Sequence, residues 1–269
     1  MGRPHGGSAS AIPGSWHADI AQHDFSAACA GIGIYGVGRM RYLGGKSRTA
    51  KQIASIVAPR GPWWEPFCGG LSVSVALQAA TPAPGYVGIV SDANLAVVSL
   101  YRAVESGWVP PEGGTVTVED WHAAKLLPDT DPRKALIGVG GSYGAIWFRW
   151  PTVEKRVEWH KKQKYWNSID PIGAAGRAVT AKVGVLTAPG PRRCHFRHVD
   201  FLAPDTAPPP GTEVIYCAPP YAGTTGYEDA TGPFDHDAFW RRCIDFASLP
   251  GPQLTAIGGP DKCHPEAGA

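Results

Sequence analysis

The chain has 269 residues, a formal net charge of +2, 43% hydrophobic and 18% charged residues, enough for one large core or for one domain carrying an insertion. No stretch approaches the twenty or so apolar residues of a membrane-spanning helix and the amino terminus lacks a charged-then-apolar leader, so neither a membrane span nor a signal peptide is expected, and the cytoplasm is the expected location. Six scattered cysteines (Cys29, Cys68, Cys194, Cys217, Cys243, Cys263) form no C-x-x-C pair; they read as reduced thiols rather than a disulfide framework or a zinc site, and no metal is expected.

Residues 1–39 are rich in Gly, Ala, Ser and His without periodicity. They read as a flexible extension or as sequence upstream of the true start, with Met40 a natural beginning. From Arg41 the texture changes. "RTAKQIASIVAP" has apolar residues at helical spacing and stops at Pro59. "GPWWEPF" reads as a strand and "LSVSVALQAA" as the helix after it; "YVGIVSD" is a second strand and "ANLAVVSLYRAV" a second helix. This alternation predicts a parallel sheet with flanking helices. A polar, turn-rich middle, 107–207, holds short helical stretches such as "EDWHAAKLL" and reads as an insertion. "APDTAPPPG" then leads into "VIYCA", whose unbroken apolar run suits a central strand and which ends abruptly at Pro219-Pro220, residues with no N–H for a ladder. "DHDAFWRRCIDFAS" reads as a helix, "QLTAIGG" as a short strand, and "PDKCHPEAGA" carries no core-forming pattern. The expected plan is a sheet built from 40–106 and 208–269, interrupted by the insertion.

Charge is uneven. From Arg149 to Asp200 there are eleven Lys/Arg against four Asp/Glu, leaving 14 cations and 19 acids elsewhere. A basic segment on a mildly acidic body is the pattern of a local polyanion-binding surface, although charge runs are more often solvated faces.

Two glycine motifs fail in context. "GIGIYG" (Gly31, Gly33, Gly36) spells a dinucleotide fingerprint, but no strand precedes it. "GGKS" (Gly44 to Ser47) lacks the earlier glycine of a phosphate loop, since Met40 stands there. "EPFCGG" (Glu65 to Gly70) is better placed, at a strand-to-helix turn, where glycines let a ligand approach the backbone; an ordinary tight turn is the competing reading. Asp92 ends the next strand, 23 residues after Gly69, where a carboxylate can accept from ribose hydroxyls. Together they make a pocket for an adenosine-containing ligand.

In order, "YLGGK", "EPFCGG", "SDAN…LYRAV", a basic middle and "IYCAPPY" resemble the Dam-type DNA adenine N6-methyltransferases, particularly phage members, over roughly Met40 to Leu249. The resemblance implies an α/β, Rossmann-like methyltransferase sheet with a smaller helical target-recognition insertion, S-adenosylmethionine as methyl donor, and a flipped adenine of double-stranded DNA as acceptor. It implies no membrane partner, and a monomer is expected. By the same resemblance Tyr42 and Lys46 match the family's first cofactor motif, and Glu65, Pro66, Phe67 and Gly69 its glycine loop. Leu71 stands where many relatives have a second glycine. Asp92 matches the ribose-binding acid, and "GGSYGAIWFRW" the segment beside the recognition domain. Trp147 and Phe148 read there as core, and Arg149 as a DNA contact with Lys155, Arg156, Lys161, Lys162 and Lys164.

The family's signature is Asp-Pro-Pro-Tyr. Adenine N6 is a poor nucleophile because its lone pair is delocalised into the ring. A carboxylate and the carbonyl after it accept the two N6 hydrogens and turn that pair toward the methyl group. The prolines stiffen the turn, and the tyrosine stacks on the flipped base. Here Pro219, Pro220 and Tyr221 are kept, while Ala218, a position shared by the catalytic and cofactor motifs, replaces the carboxylate. The expected activity is therefore impaired, whether the alanine was introduced or belongs to a natural member without activity. Relatives also continue into further strands after the place of "LTAIGG", so an incomplete sheet is expected. Two further readings stay open: a non-catalytic DNA-binding module that retains the cofactor, and an RNA or protein methyltransferase with a similar turn. The recognised DNA sequence and a restriction partner are not encoded in any of these motifs.

Overall fold

The computed structural model describes residues 42–81, 87–112, 118–142, 146–148, 171–190, 193–221, 231–251 and 253–256. Five strands form one sheet: β1 (Trp63–Glu65), β2 (Gly88–Asp92), β3 (His195–His198), β4 (Val214–Cys217) and β5 (Gln253–Ala256). Their order is β3-β2-β1-β4-β5, and every neighbouring pair is parallel. Seven helices are described: α1 (Ala50–Val57), α2 (Ser72–Ala80), α3 (Leu95–Glu105), α4 (Val118–Lys125), α5 (Pro132–Gly140), α6 (Pro171–Thr187) and α7 (His236–Ala247). The protein has the α/β, Rossmann-like architecture expected of a methyltransferase fold. None of these helices is long and apolar enough to cross a membrane.

Both faces of the sheet are covered, because its central strands are apolar on both sides. Trp63, Val90, Phe196, Val214 and Tyr216 join α1 through α6 in one core. Trp64, Ile89, Ile215 and Cys217 face the other way, onto Phe239, Cys243 and Phe246 of α7 and onto Phe201. Successive side chains of a strand point to opposite faces, so the Trp63–Trp64 dipeptide serves both cores. Helix starts are marked locally. Asn94 accepts from the amides of Ala96 and Val97, Asp131 from Arg133, and Asp235 from Ala238, each as an N-cap.

The elements expected before Glu105 and after Thr212 form where the sequence pattern places them, trimmed by a few residues at their ends. The stretch 107–207 needs correction as an insertion between strands. It supplies α5 and α6, which pack on α3, and β3, which pairs with β2 from Ile89↔His195 to Asp92↔His198. The sheet thus resumes at His195, not after Ala207. β3 escaped notice because it is an edge strand that buries only Phe196 and exposes His195, Arg197 and His198. Helix α6 escaped because buried residues lie all around it and three glycines interrupt it; at Gly176 a Cβ would lie 2.6 Å from Pro110, so helix and loop meet only because that side chain is missing. Trp147 and Phe148 are core residues, as expected. The extension 1–39 and "GIGIYG" lie outside the described residues, as does the sequence beyond Ala256.

Gly88 gives the fold a sharp test. A Cβ there would sit 2.4 Å from the Trp63 ring and 2.7 Å from Cys194 Sγ, inside a core with no slack. Gly88→Ala should lower the unfolding free energy by about 1–3 kcal/mol, read from urea denaturation; an unchanged midpoint would show that the Trp63 ring has room to move.

Candidate active site

Strand order reverses between β1 and β4: β2 and β3 lie to one side of β1, and β4 and β5 to the other. At such a switch point the loops leaving the strands diverge and open a crevice at the carboxyl edge. A cavity of about 480 Å³ lies there, lined by the residues that end four strands. Glu65 and Phe67 to Gly70 come from β1, Asp92 to Asn94 from β2, Asp200 and Leu202 from beyond β3, and Ala218 to Tyr221 from β4; Tyr42 to Lys46 and Thr231 to Phe234 complete the wall.

The structure thus brings together Tyr42, Lys46, Glu65, Phe67, Gly69, Asp92, Ala218, Pro219, Pro220 and Tyr221 around one space. Pro66 is buried beside it. Arg149, Lys155, Arg156, Lys161, Lys162 and Lys164 lie outside the described residues. Asp200 is an exposed third carboxylate at the rim whose Oδ1 accepts from the Leu202 amide at 2.9 Å. Sequence reasoning missed it because β3 was not recognised; an acid just past a strand end was the available signal.

The glycine loop is held from several directions. Asp92 Oδ2 accepts from the Gly69 amide at 2.9 Å, and Oδ1 from the Asn94 amide at 3.0 Å. The Tyr101 hydroxyl donates to the Gly69 carbonyl, and the Cys68 amide to the Ser91 carbonyl at 3.0 Å. Gly69 has a φ of +43°, and a Cβ there would lie 2.7 Å from the Tyr42 ring. The ring therefore rests directly on the glycine. Leu71, in place of a second glycine, still has a φ of +61°; the backbone keeps a glycine-like turn while the side chain is buried in the core. Such a conformation costs a leucine about 1–2 kcal/mol, so contacts around the loop must hold it.

Lys46 donates to the Gly44 carbonyl at 2.7 Å and lies 4.5 Å from the centre of the Tyr221 ring. It joins the amino-terminal turn to the turn after β4, with a cation over the electron-rich ring face.

Burial raises the carboxyl groups. Glu65 is pushed up to about 8, against a hydrogen bond from Ser74 Oγ at 2.5 Å that favours its charge. Asp92 is raised by burial, and the Asn94 and Gly69 amides oppose the shift. Behind the loop, Lys182 is drawn down to about 8 by burial, with Glu65 opposing. Cys68, Cys194, Cys217 and Cys243 are free and buried, and burial pushes the Cys68 and Cys217 thiols well up. Among the described residues no group of three His, Cys, Asp or Glu gathers that could hold a metal ion.

A doubly wound parallel sheet with a glycine loop and strand-end acids at its switch point defines a Rossmann-like α/β protein. Residues 42–113 match the family described as D12 class N6 adenine-specific DNA methyltransferase. The matched stretch holds Tyr42, Lys46, the glycine loop and Asp92, and ends before the turn at Ala218. No curated protein matches the chain.

The raised carboxyl of Glu65 has a consequence for stability. The folded protein keeps a proton there that the unfolded chain, with the ordinary value of 4.5, releases. That contribution is complete below pH 4.5 and is lost as pH rises through about 8; Asp92 acts in the same sense, whereas Lys182 adds stability above about 8. The unfolding free energy should therefore fall by up to a few kcal/mol between about pH 5 and 8 and fall less in Glu65→Gln, as measured by urea titrations across that range. Parallel pH profiles would contradict the assignment.

Proposed function

We propose that the cavity binds S-adenosylmethionine beside an adenine flipped out of double-stranded DNA, and that the chain descends from site-specific adenine N6-methyltransferases. One observation carries this reading: the glycine loop, the β2 acid and the proline turn after β4 line the same cavity, so donor and acceptor sites adjoin. The residues present suit the donor. Gly69 leaves a cradle that any Cβ would fill, against Tyr42, and Asp92 and Asp200 give the wall an acidic lining, with Glu65 beside them as a protonated, hydrogen-bonding carboxyl. That lining favours a ligand carrying a sulfonium, an ammonium and ribose hydroxyls. Glu65, Gly69 and Asp92 would hold it, with Asp200 as a further acceptor.

When bound, S-adenosylmethionine supplies an electrophilic methyl group. The chain's own part is to orient the acceptor. Tyr221 offers a ring for the flipped base, a contribution of about 1–3 kcal/mol, and Lys46 lies against that ring. Pro219 and Pro220 stiffen the turn that sets the ring beside the cavity. At Ala218 a methyl group lies where a carboxylate would accept an N6 hydrogen, so the lone pair is left undirected. The absence of one such preorganised acceptor lowers the rate by about 10²–10³-fold.

That same alanine favours a second reading, a DNA-binding module that keeps the cofactor but performs little or no chemistry. In either case the basic residues from Arg149 to Lys164 would contact phosphates, and the protein would act inside a bacterial or phage-infected cell. One substitution separates the readings. Ala218→Asp should raise N6-methyladenine in DNA from expressing cells by about 10²-fold or more, measured by methylation-sensitive digestion and nucleoside mass spectrometry. Unchanged methylation with intact DNA and donor binding would leave the binding-module reading standing.

A further inference from the structure

Lys182 lies on α6, within the basic segment, yet its side chain is turned inward and the residue is only 7% exposed. Its Nζ donates to the Gly70 carbonyl at 2.6 Å and to Ser72 Oγ at 3.2 Å. Gly70 and Ser72 line the cavity and Lys182 does not. It stands behind the loop, reaching it from more than a hundred residues away in sequence.

Burying an ammonium carries a desolvation cost that only well-placed hydrogen bonds offset, so a buried charge is weak evidence for stability. Fold stability alone is thus a weak reason for this lysine. The loop it touches has a specific need. Leu71, between the two acceptors, is held in the left-handed region, and α2 begins there without a side-chain cap. Tyr101 holds the Gly69 carbonyl and Lys182 the next one, so consecutive carbonyls are each fixed by a donor while the backbone between them stays turned.

We infer that Lys182 is a positioning residue for the donor site: its ammonium holds the Gly70–Ser72 turn in the shape that receives the ligand. The inference rests on the donor reading proposed above. Lys182→Met keeps the volume and removes the donor group. Titration calorimetry of the full chain with S-adenosylhomocysteine should show about tenfold weaker binding in this variant, with a thermal midpoint lowered by only a few degrees. Hydrogen exchange should quicken at residues 69–72 and not in β1 or β2. Affinity within twofold of the unsubstituted chain, or unchanged exchange in the loop, would overturn the inference. Should Lys182→Met not fold, Lys182→Gln decides by the same two measurements. Failure of the unsubstituted chain to bind S-adenosylhomocysteine would instead remove the donor reading and this inference with it.

Discussion

Asp92 accepts one amide on each carboxylate oxygen, from Gly69 and from Asn94. This two-handed contact ties the loop leaving β1 to the turn leaving β2, and the remaining geometry of the cavity depends on it. Asn94 in turn caps α3, and α3 sends Tyr101 back to the Gly69 carbonyl. The circuit Asp92–Asn94–α3–Tyr101–Gly69 closes on itself, so the backbone is held from several sides where it lines the cavity. Restraint of this kind reduces the ordering that binding would otherwise require.

Parallel strands cannot be joined by hairpins, so every connection crosses the sheet and every strand ends at the same edge. That is why side chains as distant in sequence as Tyr42, Asp92, Asp200 and Tyr221 share one wall. The arrangement also separates functions. The glycine loop and Asp92 belong to β1 and β2, while the aromatic ring and prolines belong to β4. The side chain at position 218 can therefore differ without disturbing the circuit that holds the other side.

Much of this was legible in the amino-acid sequence, for physical reasons. "YVGIVSD" and "VIYCA" are apolar runs too short for helices and bounded by turn residues, as strands buried on both faces must be. The glycine turn and strand-end acid could be located because their chemistry is local. What escaped depends on distant neighbours. β3 is polar because it is an edge strand, and its pairing with β2 leaves no periodic trace. Lys182 counted as one of eleven cations in a basic segment, and nothing in its local sequence indicates that its ammonium turns inward to a carbonyl. Leu71 shows the converse: a residue that argued for an altered loop adopts the glycine-like conformation because its surroundings hold it there.

The strand order has a consequence for how the chain reaches this state. β1 pairs with β4 through Trp63↔Val214 and Trp64↔Ile215, so the centre of the sheet joins early and late parts of the chain. During synthesis Trp63 and Trp64 leave the ribosome long before the strand that covers one flank of β1 exists. At typical elongation rates of about 5–20 residues per second the interval lasts on the order of ten seconds. Until then two large indoles and an unpaired strand edge belong to a nascent intermediate, and the closing step is a long-range, entropically costly one. The cavity lies on that same seam, so its wall is completed only after β4 has arrived.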